Sequence, residues 1–198
     1  MTSKRLAILN TATWLFATRG FRETSTTEVA RLTGIADGTV FYHFESKEKL
    51  FLAVLEDVRT RIDDGFEEFL PGTGDLSGLE LLEAVAGFYL QLAADNEAQF
   101  MLLHRHHAYD LARVNEECRS LLEGIYDRIV RTFEDAIRRG QEDGTMGEVP
   151  EHKTALLVYM MIDGLVRLKH FNLYDPGSLF GDFLGGCRRL VRAENGGE

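Results

Sequence analysis

Apolar residues recur at spacings of three and four along nearly the whole chain. Only three prolines, Pro71, Pro150 and Pro176, interrupt them, each beside glycine or acidic turn residues. This period lays one apolar stripe along each successive helix and leaves no alternation from which a sheet could be built. The spacing therefore predicts an all-α fold of about nine helices. Residues 4–19 place Ile8, Leu9, Ala12, Leu15 and Phe16 on one arc, and Gly20 stops that helix. A long helix over residues 46–70 carries Leu50, Phe51, Val54, Leu55, Val58, Ile62, Phe66 and Phe69 on one stripe, with Gly65 on the opposite face. Residues 71–78 (PGTGDLSG) are the expected internal linker.

Helices are expected to resume over residues 78–94, 97–108 and 110–139, the last carrying Leu111, Val114, Cys118, Leu121, Leu122, Ile125, Ile129, Phe133 and Ile137 on one face and ending at Gly140. Residues 155–168 are apolar nearly all round, so that helix is expected to be covered on more than one side. The last helix, over about residues 178–193, groups Leu179, Phe180, Phe183, Leu184, Cys187, Leu190 and Val191.

Charge is distributed unevenly. The 198 residues have a formal net charge of -10, yet the first 50 hold seven basic and five acidic side chains. A slightly basic head on an acidic body suits a short nucleic-acid reader better than the total suggests. Cys118 and Cys187 are too few for a disulfide framework, and both sit in apolar stripes as small hydrophobes, so a reducing cytoplasm is the expected compartment. Lys4 and Arg5 ahead of an apolar run imitate a secretory leader, but Asn10, Thr11 and Thr13 interrupt that run and no small-x-small cleavage site follows. The apolar run 155–162 stops at Asp163, short of the ~20 residues of a membrane span.

Residues 25–50 read STTEVARLTGIADGTVFYHFESKEKL. Ser25 and Glu28 have the form of a capping box opening a short helix through Leu32. Thr33, Gly34 and Ile35 make a three-residue turn, and a second helix is expected over residues 37–44. Local propensity alone would make residues 39–44 a strand. A lone strand in a helical chain would leave its backbone donors unpaired, so the helix is preferred. On that helix Val40 and Phe44 turn inward, while Asp37, Thr39, Tyr42 and His43 project outward, offering hydroxyls, an aromatic ring and an imidazole to phosphates and base edges.

This helix-turn-helix resembles the tetracycline-repressor (TetR) family of transcription regulators. Thr26-Thr27, Val29-Ala30, Thr33-Gly34-Ile35, residues 38–44 (GTVFYHF) and residues 46–50 (SKEKL) match the family pattern in order and spacing, and Phe16 with Gly20-Phe21 extends the match to about residues 5–55. The resemblance implies that Thr26 or Thr27 holds a phosphate at a helix N-terminus. It implies that Lys47 pairs with another phosphate, that Gly38 permits close approach, that Thr39 and Phe41 face bases or sugar, and that Tyr42 and His43 bind phosphate. Ala36 stands where the family often has a capping Ser, which leaves Asp37 to cap the helix. Asp37 also stands where the family is often basic; a carboxylate there either reads a cytosine amino group or weakens binding beside phosphate.

The resemblance further implies a homodimer on a pseudo-palindromic double-stranded operator, released by a small-molecule effector. Residues 1–46 would bind DNA, and residues 47–198 would sense the effector and dimerise. The effector cavity is expected among Phe88, Tyr89, Phe100, His104, His107 and Tyr126, and the dimer interface along residues 152–172 together with Leu179, Phe180, Phe183, Leu184 and Cys187. An alternative is a helical bundle with a metal site made by His104, His106 and His107 with Glu116 and Glu117, although the repeated Glu-x-x-His of such sites has no second copy. No phosphate loop, nucleophile elbow or Ser/His/Asp order suggests an enzyme, and no cofactor is expected.

Overall fold

The order of elements follows the apolar stripes closely. The structure is a computed structural model that describes residues 3–173 and 175–192. It contains α1 Ser3–Thr18, α2 Thr26–Thr33, α3 Asp37–Phe44, α4 Lys47–Phe69, α5 Gly78–Asp95, α6 Glu97–Leu103, α7 His106–Ala112, α8 Glu116–Glu142, α9 Glu151–His170 and α10 Phe180–Leu190. Among the described residues there is no strand.

The described residues form ten helices rather than about nine because the segment 97–115 breaks twice. His104 closes α6, and Arg105 is extended (φ -87°, ψ 141°) before α7 begins. Val114, expected on an apolar face, is 85% exposed. The next helix starts only where the Asn115 side chain accepts the Cys118 amide at 2.9 Å, an N-cap that the apolar period does not reveal.

The described residues form two compact units, one of residues 3–62 with 96–125, the other of residues 63–95 with 126–192. In the first, α1 buries Ile8, Leu9, Ala12, Leu15 and Phe16, α2 buries Val29 and Ala30, and α4 buries Leu50, Phe51, Val54, Leu55 and Val58. Arg105 donates from Nε to the Ala17 carbonyl and from Nη2 to the Thr18 carbonyl, each at 2.8 Å. These are last-turn carbonyls of α1 that lack a partner within the helix.

The second unit is built around close helix approaches. A Cβ on Gly65 would lie 3.0 Å from Leu92 Cδ1 and 3.4 Å from Phe88 Cζ, so this glycine, placed by its spacing opposite the apolar stripe, packs against α5. A Cβ on Gly78 would fall 1.9 Å from the Gly140 nitrogen; Gly140, expected to end its helix, instead sits inside α8 at that crossing. The expected linker at 71–78 is also an integral part of this unit. Leu70–Thr73 forms a 3₁₀ turn, Thr73 is buried, and Arg139 donates to the Thr73 and Gly74 carbonyls at 3.3 and 2.5 Å. Ser77 and Glu80 make a reciprocal capping box, and Asp143 accepts the Gly78 amide at 2.7 Å, so α5 is capped from within and from the end of α8.

In α9 one stripe, Thr154, Ala155, Val158, Ile162 and Val166, is buried, while Leu157, Met160 and Met161 are exposed. This chain by itself therefore covers the helix along one stripe and leaves the side of Leu157, Met160 and Met161 uncovered. In α10, Phe183 and Cys187 point into their own unit and Phe180 and Leu184 are half-buried, whereas Leu179, just before the helix, is exposed. Of the five residues expected at an interface, those two are thus core: on this short helix the apolar arc is wide enough to serve the unit's interior first. Ala193, expected in the last helix, lies outside the described residues.

Candidate nucleic-acid interface

The helix-turn-helix is set by three local devices. Ser25 Oγ accepts the Glu28 amide at 3.1 Å to open α2, and the Glu28 carboxylate is engaged by Arg19 at 2.5 Å. Gly34 closes α2 with φ 72° and ψ 31°, a left-handed turn suited to glycine, and the Ile35 amide reaches back to the Ala30 carbonyl at 3.1 Å. Ser46 Oγ accepts the Lys49 amide at 3.1 Å to open α4. Both cap sites leave a partially positive helix end beside an exposed or half-buried polar side chain, Thr26 and Thr27 on α2 and Lys47 on α4.

Residues 39–44 are helical against their strand propensity, because burying Val40 and Phe44 against the domain decides the matter. Burying one such side chain is worth about 1.5–3 kcal/mol, more than the ~1 kcal/mol span of β-propensity. Ala36 is the N-cap of α3 and makes no side-chain capping bond. Asp37 is the first helical residue, inside the first turn, so it does not cap the helix as expected. Asp37, Gly38, Phe41 and Tyr42 are exposed, and Thr39 and His43 are half-buried beside them. Tyr42 is 84% exposed and Phe41 50%, although both are apolar enough to be core. The Tyr42 and His43 rings meet edge-on at 5.2 Å.

Lys47 is the most constrained of the candidate contacts. Its Nζ lies 4.3 Å from the Phe21 ring centroid and donates to the Arg22 carbonyl at 3.4 Å. Burial lowers its pKa, and Glu23 partly restores it. The Phe21 ring packs on Phe16 and Phe51 and stacks on His107, with centroids 3.7 Å apart and planes 11° from parallel. Phe21 and His107 as supports of Lys47 were not legible in the sequence: the imidazole belongs to a distant helix, and no local pattern joins the two.

Residues 8–54 match the family model described as bacterial regulatory proteins, tetR family. The HTH-type transcriptional regulator TtgR of Pseudomonas putida is 25% identical over 186 residues, 90% of this chain and 85% of that protein. This chain belongs to the TetR family. The fold of the TetR-family chain agrees over nearly its full length with solved structures. One is a bacterial regulatory protein in the tetR family from Rhodococcus RHA1, with TM-score 0.80 and 20% identity over 98% of this chain and 100% of that one. Another is the transcriptional regulator FadR from Bacillus subtilis in complex with stearoyl-CoA, with TM-score 0.72 and 20% identity over 94% and 97%.

The expected effector residues of this TetR-family chain fall into separate units. Phe100, His104 and His107 lie in the first, where Phe100 and His104 are buried. Phe88, Tyr89 and Tyr126 lie in the second. There the Tyr89 hydroxyl donates to Asp163 at 2.7 Å, and the Tyr159 ring lies 6.0 Å from both Tyr89 and Tyr126. Tyr159 and Asp163 were not among the expected residues; their signal was a carboxylate inside an otherwise apolar helix. Phe88 stacks on Phe69 at 4.3 Å.

The alternative metal reading finds no support. His104 and His107 do not share a helix, Glu117 is paired with Lys49 at 2.8 Å, and among the described residues no group of three or more His, Cys, Asp or Glu could hold a metal ion.

Proposed function

We propose that this TetR-family chain acts as a homodimeric repressor that binds a pseudo-palindromic operator and is released by a small-molecule effector. The observation that carries the DNA reading is the outward face of α3. Phe41 and Tyr42 are exposed there with Asp37 and Gly38, and the Lys47 ammonium, seated on Phe21, stands at the start of the following helix α4. Thr39 and Phe41 would face bases or sugar, while Thr26, Thr27, Tyr42, His43 and Lys47 would hold phosphates. Asp37 would accept from a cytosine amino group at the base edge. Residues 1–46 would form the DNA reader, and residues 47–198 the sensing and dimerising part.

The exposed side of α9, with Leu157, Met160, Met161 and the neighbouring Leu179, Phe180 and Leu184, supports the dimer. Covering it with a second copy would stabilise the pair by about 1.5–3 kcal/mol for each such side chain fully buried. Two-fold symmetry would then present two α3 helices to successive major grooves.

For the effector, the tyrosines Tyr89, Tyr126 and Tyr159 with the Asp163 carboxylate offer aromatic surface and one strong acceptor, with Phe88 nearby in the same unit. A fold neighbour, FadR, is bound to stearoyl-CoA, which supports a ligand-responsive reading. The effector can release DNA only to the extent that it prefers one dimer geometry over the other. The proposed place of action is the cytoplasm, where an operator would lie. No helix among the described residues is long and apolar enough to cross a membrane. Binding, without turnover of a substrate, is the proposed activity.

The test is anisotropy of purified protein on labelled DNA from upstream of its own gene, at fixed salt, against a scrambled duplex. Specific binding at ~10⁻⁸ M or tighter is expected. Equal affinity for both duplexes, persisting across a genome-wide binding selection, would overturn the reading.

A further inference from the structure

We propose that His107, on α7, is a positioning residue for DNA binding: its imidazole holds the Phe21 ring against which the Lys47 ammonium is seated. The proposal rests on the reading of Lys47 as a phosphate contact.

Phe21 lies in the connection between α1 and α2, just after Gly20 (φ 93°), so no helical backbone fixes its ring. Neighbouring side chains must do so. Phe16 and Phe51 approach at 5.5 and 5.4 Å in tilted and edge-on arrangements, whereas His107 lies flat on the ring at 3.7 Å. Lys47 Nζ also lies over that ring, 4.3 Å from its centroid. A stacked imidazole and an ammonium at these distances would collide on one face, so Phe21 is held between them. His107 is itself fixed, its ring meeting Phe51 edge-on at 4.8 Å.

A lysine side chain has four rotatable carbons, and an exposed one gains little from a single phosphate because that freedom is lost on contact. Seating the ammonium on a ring face and the Arg22 carbonyl removes most of that loss beforehand. The charge state of His107 suits the role. Burial, then Lys47 and Arg22, lower its pKa against the opposing pull of Asp110 and Glu48, which favours the neutral ring and keeps a second positive charge off Phe21. A displacement of α7 would accordingly be felt at a DNA contact without passing through α3.

The test is a double-mutant cycle on the full chain with a labelled random-sequence duplex at several salt concentrations, because a phosphate contact is independent of sequence. Lys47→Ala is expected to weaken binding about tenfold and to reduce the salt slope by about one. His107→Ala is expected to weaken it by about three- to tenfold with a similar loss of slope, and to add less than about twofold in the Lys47→Ala background. His107→Phe, which keeps the flat ring, should bind within about twofold of wild type; His107→Leu, which keeps bulk without the face, should behave like His107→Ala.

Thermal midpoints of every variant separate misfolding from lost positioning, and if the alanine variant does not fold, the Leu and Phe pair decides. Wild-type binding by His107→Leu, or an equal loss with and without Lys47, overturns the proposal. An unaffected Lys47→Ala variant overturns instead the phosphate reading on which it rests.

Discussion

The Tyr89 hydroxyl donates a 2.7 Å hydrogen bond to the Asp163 carboxylate, joining α5 to α9 inside the second unit. Tyr89 is fully buried, and burial, followed by Tyr159 and Asp163, pushes its pKa well above the usual phenol value, which favours the protonated donor. A hydrogen bond to a charged group is worth about 1.5–3 kcal/mol net. Tyr89→Phe is therefore expected to lower unfolding free energy by about that amount in urea titrations, at unchanged m-value. A loss below about 0.5 kcal/mol would show that Asp163 is satisfied without it.

Gly78 tolerates no side chain. Its hypothetical Cβ falls within 1.9 Å of Gly140 N and 2.7 Å of the Ala136 carbonyl, both rigid helical backbone. Gly78→Ala should cost about 3 kcal/mol or more, with a clear drop in thermal midpoint, because α5 must move off α8. Gly87, also in α5, has open space at its Cβ, so Gly87→Ala is expected to be neutral or stabilising. Equal melting of the two variants would refute the close crossing.

Met160 is 58% exposed in the single chain, whereas Phe183 is buried. Met160→Glu should leave the protomer folded and yield monomers in sedimentation velocity at micromolar concentration. A Phe183→Asp variant should lose folded protein altogether, because an unpaired carboxylate would enter the core. A dimer that survives Met160→Glu would place the interface elsewhere.

His107 also makes stability depend on pH. Its folded pKa lies below the unfolded value of 6.5, so the unfolded chain takes up its proton first. The contribution is thus fully present above pH 6.5 and is lost as pH falls through the folded pKa. In the His107→Phe variant the fall in thermal midpoint below pH 6.5 should flatten. An unchanged profile would assign that fall to other groups.

Most helices were legible because burying one stripe per helix writes a 3.6-residue period into the chain. The helix-turn-helix was legible to nearly the residue, because Ser25, Gly34 and the inward pair Val40 and Phe44 act within a few positions of one another. The misjudged places have another origin. Residues 71–78 look like a linker by composition, yet Arg139, remote in sequence, ties their carbonyls down. Gly65 reads only as lying opposite the apolar stripe and Gly140 as a helix end, yet Gly65 meets Leu92 and Phe88 of α5 and Gly140 meets Gly78. Cys187 and Phe183 read as interface because an apolar arc does not state which body covers it.

What the chain alone determined was therefore whatever depends on neighbours three or four residues apart: helix type, caps, the turn at Gly34 and the exposed aromatic face of α3. The tertiary structure decided how Lys47 is seated on Phe21 and His107, how Tyr89 meets Asp163, and which side of α9 stays uncovered. Those contacts join residues far apart along the chain, and their energies depend on distance in space, which a local period does not encode.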